Sequence, residues 1–93
     1  METEVSEGLR SLRRSKTQRR VLMCLIRHGR PMATKEIARE LNLTENAVSI
    51  ALMHLRRKGL VEKVSKGVYT YNLGAILAPI VEVYLSSEGG RRG

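Results

Sequence analysis

The spacing of apolar positions changes several times along the chain, and each change marks an element. Val21, Leu22, Leu25 and Ile26 recur at helical intervals. Ser15 three residues before Gln18 matches a capping box, and Gly29 with Pro31 two residues on is a stop signal, so a helix is predicted near 15–28. After the extended link Pro31-Met32-Ala33, Thr34 is a candidate N-cap with Glu36 in the positive first turn. Ile37 and Leu41, four apart, form the inward face of a helix near 35–41, and Ala38 is small where another helix must pass close by. Asn42 tolerates the left-handed backbone of a tight bend, Leu43 fills the space beneath it, and Thr44 caps the next helix. Val48, Ala51, Leu52 and Leu55 are the buried stripe of that helix, near 45–58 and closed by Gly59.

From Leu60 onward the period is that of strands. Leu60 anchors to the core, Val61 and Val64 lie in a strand near 61–65, Ser65-Lys66-Gly67 makes the tip, and the chain returns near 68–73. A last helix is predicted near 75–86, where Ile76, Leu77, Ile80, Val81, Val83, Tyr84 and Leu85 occupy an arc of about 200°, twice the roughly 100° stripe that one core needs. A second copy of the same helix is the simplest cover, which makes Ile76, Leu77, Ile80, Val81, Tyr84 and Leu85 the expected dimer interface. Pro79 fits close to the start of that helix, or else marks a kink. The expected architecture is mainly α with a small β-hairpin, a winged helix-turn-helix. It divides into a flexible basic arm (1–14), the winged-helix domain (15–73), a dimerisation helix (74–87) and a flexible tail (88–93), in which Arg91 and Arg92 can touch phosphates.

Charge narrows the partner. Seventeen Lys and Arg face nine Glu with no Asp, a formal +8 on 93 residues, and such a domain attracts polyanions in a salt-sensitive way. With no Phe, no Trp and only Tyr69, Tyr71 and Tyr84, stacking on single-stranded bases is disfavoured, which leaves the duplex. The single Cys24 excludes an internal disulfide and reads as a small buried hydrophobe. Cys24 and His28 stand i, i+4 on one helical face, but two ligands without neighbouring acids or further histidines make no metal site, and neither metal nor cofactor is expected. No signal-like segment opens the chain, and the run from Ala75 to Leu85 is too short to span a bilayer; a cytoplasmic protein is expected, with no membrane partner. No carboxylate pair, Ser/His/Asp set or phosphate-binding glycine loop is present, so an enzyme is not expected.

The candidate reading face comes from 100° per residue. With Val48 placed inward, Asn46, Ile50, Met53 and Arg57 fall within about 40° of the opposite side, and Ser49 and His54 flank them. Asn suits adenine, Arg suits guanine, and Ile or Met suits a thymine methyl in the major groove. Lys35 and Thr44 stand at helix N-termini, where free amides favour a phosphate. Arg19, Arg20 and Arg56 add positive charge, and Lys63 and Lys66 project from the hairpin toward backbone or minor groove.

Thr34-Lys35-Glu36-Ile37-Ala38, Leu41-Asn42-Leu43, Val48-Ser49, Leu52, Leu55-Arg56-Arg57-Lys58-Gly59-Leu60-Val61 and Lys66-Gly67 together resemble the small winged-helix transcription regulators of bacteria and archaea. The group is the broad one that includes MarR-, ArsR- and TrmB-like DNA-binding domains. The resemblance covers Lys16 to Leu73 and implies a homodimeric regulator, a repressor rather than an activator, with the 45–58 helix in the major groove and the 62–70 wing alongside. The chain departs from metal-sensing ArsR relatives in lacking their cysteine cluster. A winged-helix module that docks on protein through its apolar last helix, or an architectural DNA-binding protein without sequence preference, are the alternatives.

Overall fold

Small aliphatic side chains must close this core, and they do so by bringing three helices and a three-stranded sheet around Leu25, Ile37, Leu52, Leu55 and Leu60, all fully buried. The computed structural model describes the backbone of residues 4–92 and the side chains of residues 8–86. In chain order the elements are α1 (Glu4–Ser11), a 3-10 turn (Leu12–Arg14), α2 (Lys16–His28), β1 (Met32–Ala33), α3 (Thr34–Leu41), α4 (Glu45–Arg57), β2 (Val61–Ser65), β3 (Val68–Tyr71) and α5 (Leu73–Arg92). The sheet is antiparallel in the order β1-β3-β2. This is the expected winged helix-turn-helix, and the extended link carries β1 as a two-residue edge strand.

The helix-turn-helix depends on two local devices. Asn42 takes up the left-handed conformation (φ 57°, ψ 47°), and the N–H of Leu43 returns to the carbonyl of Ala38 at 2.9 Å, closing α3. Thr44 Oγ1 then accepts the N–H of Ala47 at 3.0 Å, satisfying an amide that the first turn of α4 leaves without a partner. At the other end of α4, Gly59 (φ 79°) lets the N–H of Leu60 reach the carbonyl of Leu55 at 3.0 Å and swings the chain into β2.

Four expectations are corrected. Residues 4–14, expected as a flexible arm, are helical, and α1 lies against α5 with Gly8 and Leu12 buried. Ser15 precedes α2 without a side-chain cap, and Gln18 instead accepts a hydrogen bond from Lys58 Nζ, whose burial pulls its pKa below the usual value. Thr34 is the first residue of α3 rather than its cap. Ala33 occupies the cap position, and only the returning half of a capping box forms, Glu36 Oε1 accepting the N–H of Ala33 at 3.1 Å. Finally, α5 begins at Leu73, capped by Asn72 Oδ1 on the N–H of Ala75 at 3.1 Å, so Pro79 lies inside the helix. The same helix continues to Arg92, through the segment expected as a tail. The side chains of Arg91 and Arg92, expected to touch phosphates, lie outside the described residues.

Candidate nucleic-acid interface

Because α4 buries Val48, Ala51, Leu52 and Leu55, the same periodicity turns Asn46, Ser49, Ile50, Met53 and Arg57 outward, and all five are exposed. Ile50 is 46% and Met53 44% exposed, so this face carries apolar as well as polar groups. Ile50 borders a shallow cleft with Thr17 and Gln18 of α2 and the half-buried His54. Arg56 and Arg57 extend from the last turn, a favourable end of the helix dipole for cations.

The wing is held at a definite place relative to this face. The N–H of Thr34 donates to the carbonyl of Gly67 at 2.9 Å, and its hydroxyl donates to the same carbonyl at 3.3 Å. These two bonds tie the hairpin tip to the first turn of α3. Gly67 has φ 72° with open space around it, so its backbone conformation, not crowding, calls for glycine. Register slips by one residue between Lys63 and Ser65, leaving Val64 as a bulge that is 54% exposed. A groove of about 360 Å³ runs between wing and helices, lined by Thr34, Lys35, Glu45, Ser49, Lys66 and Gly67. Lys35 and Lys66 are exposed on its lining, with Glu45 the one acid there, and Lys63 is exposed on β2.

Not every cation singled out in the sequence is free for a ligand. Arg19 Nη1 donates to the carbonyls of Leu12 at 2.7 Å and Arg13 at 2.6 Å, and Arg20 Nη2 donates to that of Leu41 at 2.8 Å. Both guanidiniums bind carbonyls at helical ends, that of Leu12 shared with the N–H of Ser15, so they clamp α2 to the 3-10 turn and to the end of α3. Lys35, Arg56, Arg57, Lys63 and Lys66 carry no carboxylate partner among the described residues.

The apolar arc of α5 divides. Ile76 packs against the core of its own chain, whereas Leu77, Ile80, Val81, Val83, Tyr84 and Leu85 are 43–68% exposed. Among the described residues, no helix is long and apolar enough to cross a membrane.

A separate constellation escaped the sequence reading. Glu40, on the outer face of α3, completes the Cys24–His28 pair of α2: His28 Nε2 and Glu40 Oε1 share a hydrogen bond at 2.6 Å, and Cys24 Sγ donates to Glu40 Oε2 at 3.5 Å. Burial, then the bond to Glu40, pushes the thiol pKa up to about 11, while the hydrogen bond from His28 holds Glu40 below the usual carboxylate value. Glu40 lies 16 residues from Cys24 and 12 from His28, so no local spacing announces it.

No curated protein and no solved structure matches the chain. The family model described as "Methanogenesis regulatory protein FilR1, N-terminal domain" matches residues 6–87, from within α1 to beyond the middle of α5. Taken with the winged helix-turn-helix on which that match falls, the chain belongs to the FilR1 N-terminal domain family, a transcription-regulator domain of winged-helix form.

Proposed function

We propose that this domain binds double-stranded DNA sequence-specifically as a homodimer and represses transcription by occluding promoters. The observation that carries the reading is the outward face of α4, which joins an amide, a hydroxyl, a guanidinium and two apolar side chains, all exposed, on one side of a rigid helix. Charged surfaces alone hold the phosphate backbone; a mixed face of this kind suits base edges and thymine methyls. In this reading Asn46, Ser49 and Arg57 read bases, Ile50 and Met53 supply shape, Lys35, Thr44 and Arg56 meet phosphates, and Lys63 and Lys66 track the backbone or minor groove from the wing. Arg19 and Arg20 contribute charge at long range while serving as internal clamps.

The exposed arc of α5 supports self-association. At about 1.5–3 kcal/mol per fully buried large apolar side chain, leaving Leu77, Ile80, Val81, Tyr84 and Leu85 in water costs a small domain a large share of its stability. A two-fold pairing through these helices sets two copies of α4 on successive half-sites.

Selection of bound duplexes from a random pool tests the whole reading. A paired motif with spacing near one helical turn, about 10 base pairs, is the expected result. Recovery of unselected sequence would leave only an architectural role, and absence of sub-micromolar duplex binding would point to protein docking through α5. Asn46→Ala and Arg57→Ala should each relax preference at one base position, by roughly 1–3 kcal/mol. Equal losses on selected and random duplexes would reassign them to phosphate contacts.

A further inference from the structure

Three side chains of unlike chemistry converge where the C-terminal half of α2 meets the end of α3. Cys24 Sγ, His28 Nε2 and a carboxylate oxygen of Glu40 all lie within 4.8 Å of one another. We infer that Cys24, His28 and Glu40 form a binding site for a zinc-like divalent cation, with thiolate, imidazole and carboxylate as ligands and a solvent molecule in the fourth position.

The donor set is the one such an ion takes, sulfur, nitrogen and oxygen together. Metal–sulfur distances of about 2.3 Å and metal–nitrogen or metal–oxygen distances of about 2.0–2.1 Å place tetrahedral ligand atoms about 3.3–3.5 Å apart. Cys24 Sγ and Glu40 Oε2 already stand at 3.5 Å. His28 Nε2 faces the other carboxylate oxygen, Oε1, at 2.6 Å, so for one oxygen to share an ion with both partners the carboxylate must turn and His28 must draw back to about 3.3 Å from it. Both side chains are substantially exposed, 32% and 43%, so side-chain rotations suffice without moving backbone. On the inner side Met32 Sδ lies 4.0 Å from Cys24 Sγ and closes the site against the core. On the outer side a cleft of about 290 Å³, bordered by His28, Arg30, Met32, Glu36, Arg39 and Glu40, brings an ion and its water to His28 and Glu40, with the fully buried Cys24 lying behind them. Arg30 is occupied by Glu36 at 2.8 Å and is not paired with Glu40.

Binding exchanges bonds in a balanced way. The thiol proton and the Nε2 proton of His28 leave to solvent, the imidazole keeping or regaining its proton on Nδ1; metal–sulfur, metal–nitrogen and metal–oxygen bonds replace S–H, the His28···Glu40 hydrogen bond and three of the ion's bonds to water. The ion then joins α2 to α3 at the end opposite the 3-10 turn and stiffens half of the helix-turn-helix.

The test is a titration of the reduced, tag-free chain with Co(II), followed by displacement with Zn(II). Expected are a thiolate-to-cobalt charge-transfer band, intense visible bands of a four-coordinate ion at one equivalent, and their loss on adding Zn(II). A hundredfold Zn(II) excess over its dissociation constant should raise Tm by about 10 °C or more in a domain of this size. Cys24→Ser should abolish the charge-transfer band. His28→Gln and Glu40→Gln, both at the surface and unable to disturb the core, should each weaken binding at least about tenfold. A spectrum remaining that of the aquo ion, or binding unchanged in Glu40→Gln and His28→Gln, overturns the site even if Cys24→Ser folds poorly.

Discussion

The number of unpaired cations on the proposed interface sets a salt dependence that separates one bound copy from two. Lys35, Arg56, Arg57, Lys63 and Lys66 are exposed on each chain and lack acidic partners among the described residues. If the four that do not read bases, Lys35, Arg56, Lys63 and Lys66, each meet one phosphate, the slope of log K against log salt is about −3.6 for one copy and about −7.2 for a dimer. Between 50 and 200 mM salt the affinity then falls about 150-fold for a monomer and about 2 × 10⁴-fold for a dimer. Fluorescence anisotropy on a selected duplex, across four or five salt concentrations, measures the slope directly. Lys63→Ala combined with Lys66→Ala removes two contacts per subunit, and in a dimer should make the slope shallower by about 3.6. A fall smaller than about tenfold across that range would refute duplex binding through these groups. A slope untouched by the double substitution would take the wing off the DNA while leaving α4 in place.

Single contacts make further outcomes testable. Thr44→Ala removes the acceptor for the Ala47 amide and should cost about 1 kcal/mol, a fall in Tm of about 4–8 °C, while Thr44→Ser keeps the cap; equal losses in both would mean the hydroxyl does not cap. Glu36 is held at about 2, below its usual 4.5, by the hydrogen bond from Arg30 and then by the Ala33 amide. A carboxylate depressed on folding stabilises above its unfolded value and loses that contribution as pH falls through the folded one. Tm should therefore decline between about pH 4.5 and 2, and Glu36→Gln should flatten part of that decline. Ile80→Asp and Tyr84→Asp place charge on the exposed arc of α5, and sedimentation should find the protein shifted from dimer to monomer with its fold intact; an unchanged sedimentation coefficient would remove α5 from the interface.

Signals within a few residues of one another were enough for the helix-turn-helix. The αL turn at Asn42, the Thr44 cap and the Gly59 stop each act on amides and carbonyls of the adjoining turn, so their residue types alone place the end of α3 and both ends of α4. The stripe of Val48, Ala51, Leu52 and Leu55 likewise settles which side of α4 faces out, because the helical period leaves one choice.

Contacts between distant segments account for what local chemistry left open. α1 carries few large apolar residues and becomes a helix against α5, with Gly8 so near Lys58 that an added Cβ would come within 2.8 Å of that side chain's Cβ. Arg20 finds its acceptor 21 residues away at Leu41, which makes it a clamp between helices, and Thr34 finds its own 33 residues away at Gly67, which turns an expected cap into the tether of the wing. Glu40 joins Cys24 and His28 only because α2 and α3 pack side by side. Periodicity and capping are short-range and therefore written along the chain, whereas these partnerships depend on the angle at which two helices cross, and that angle arises from how the whole core closes.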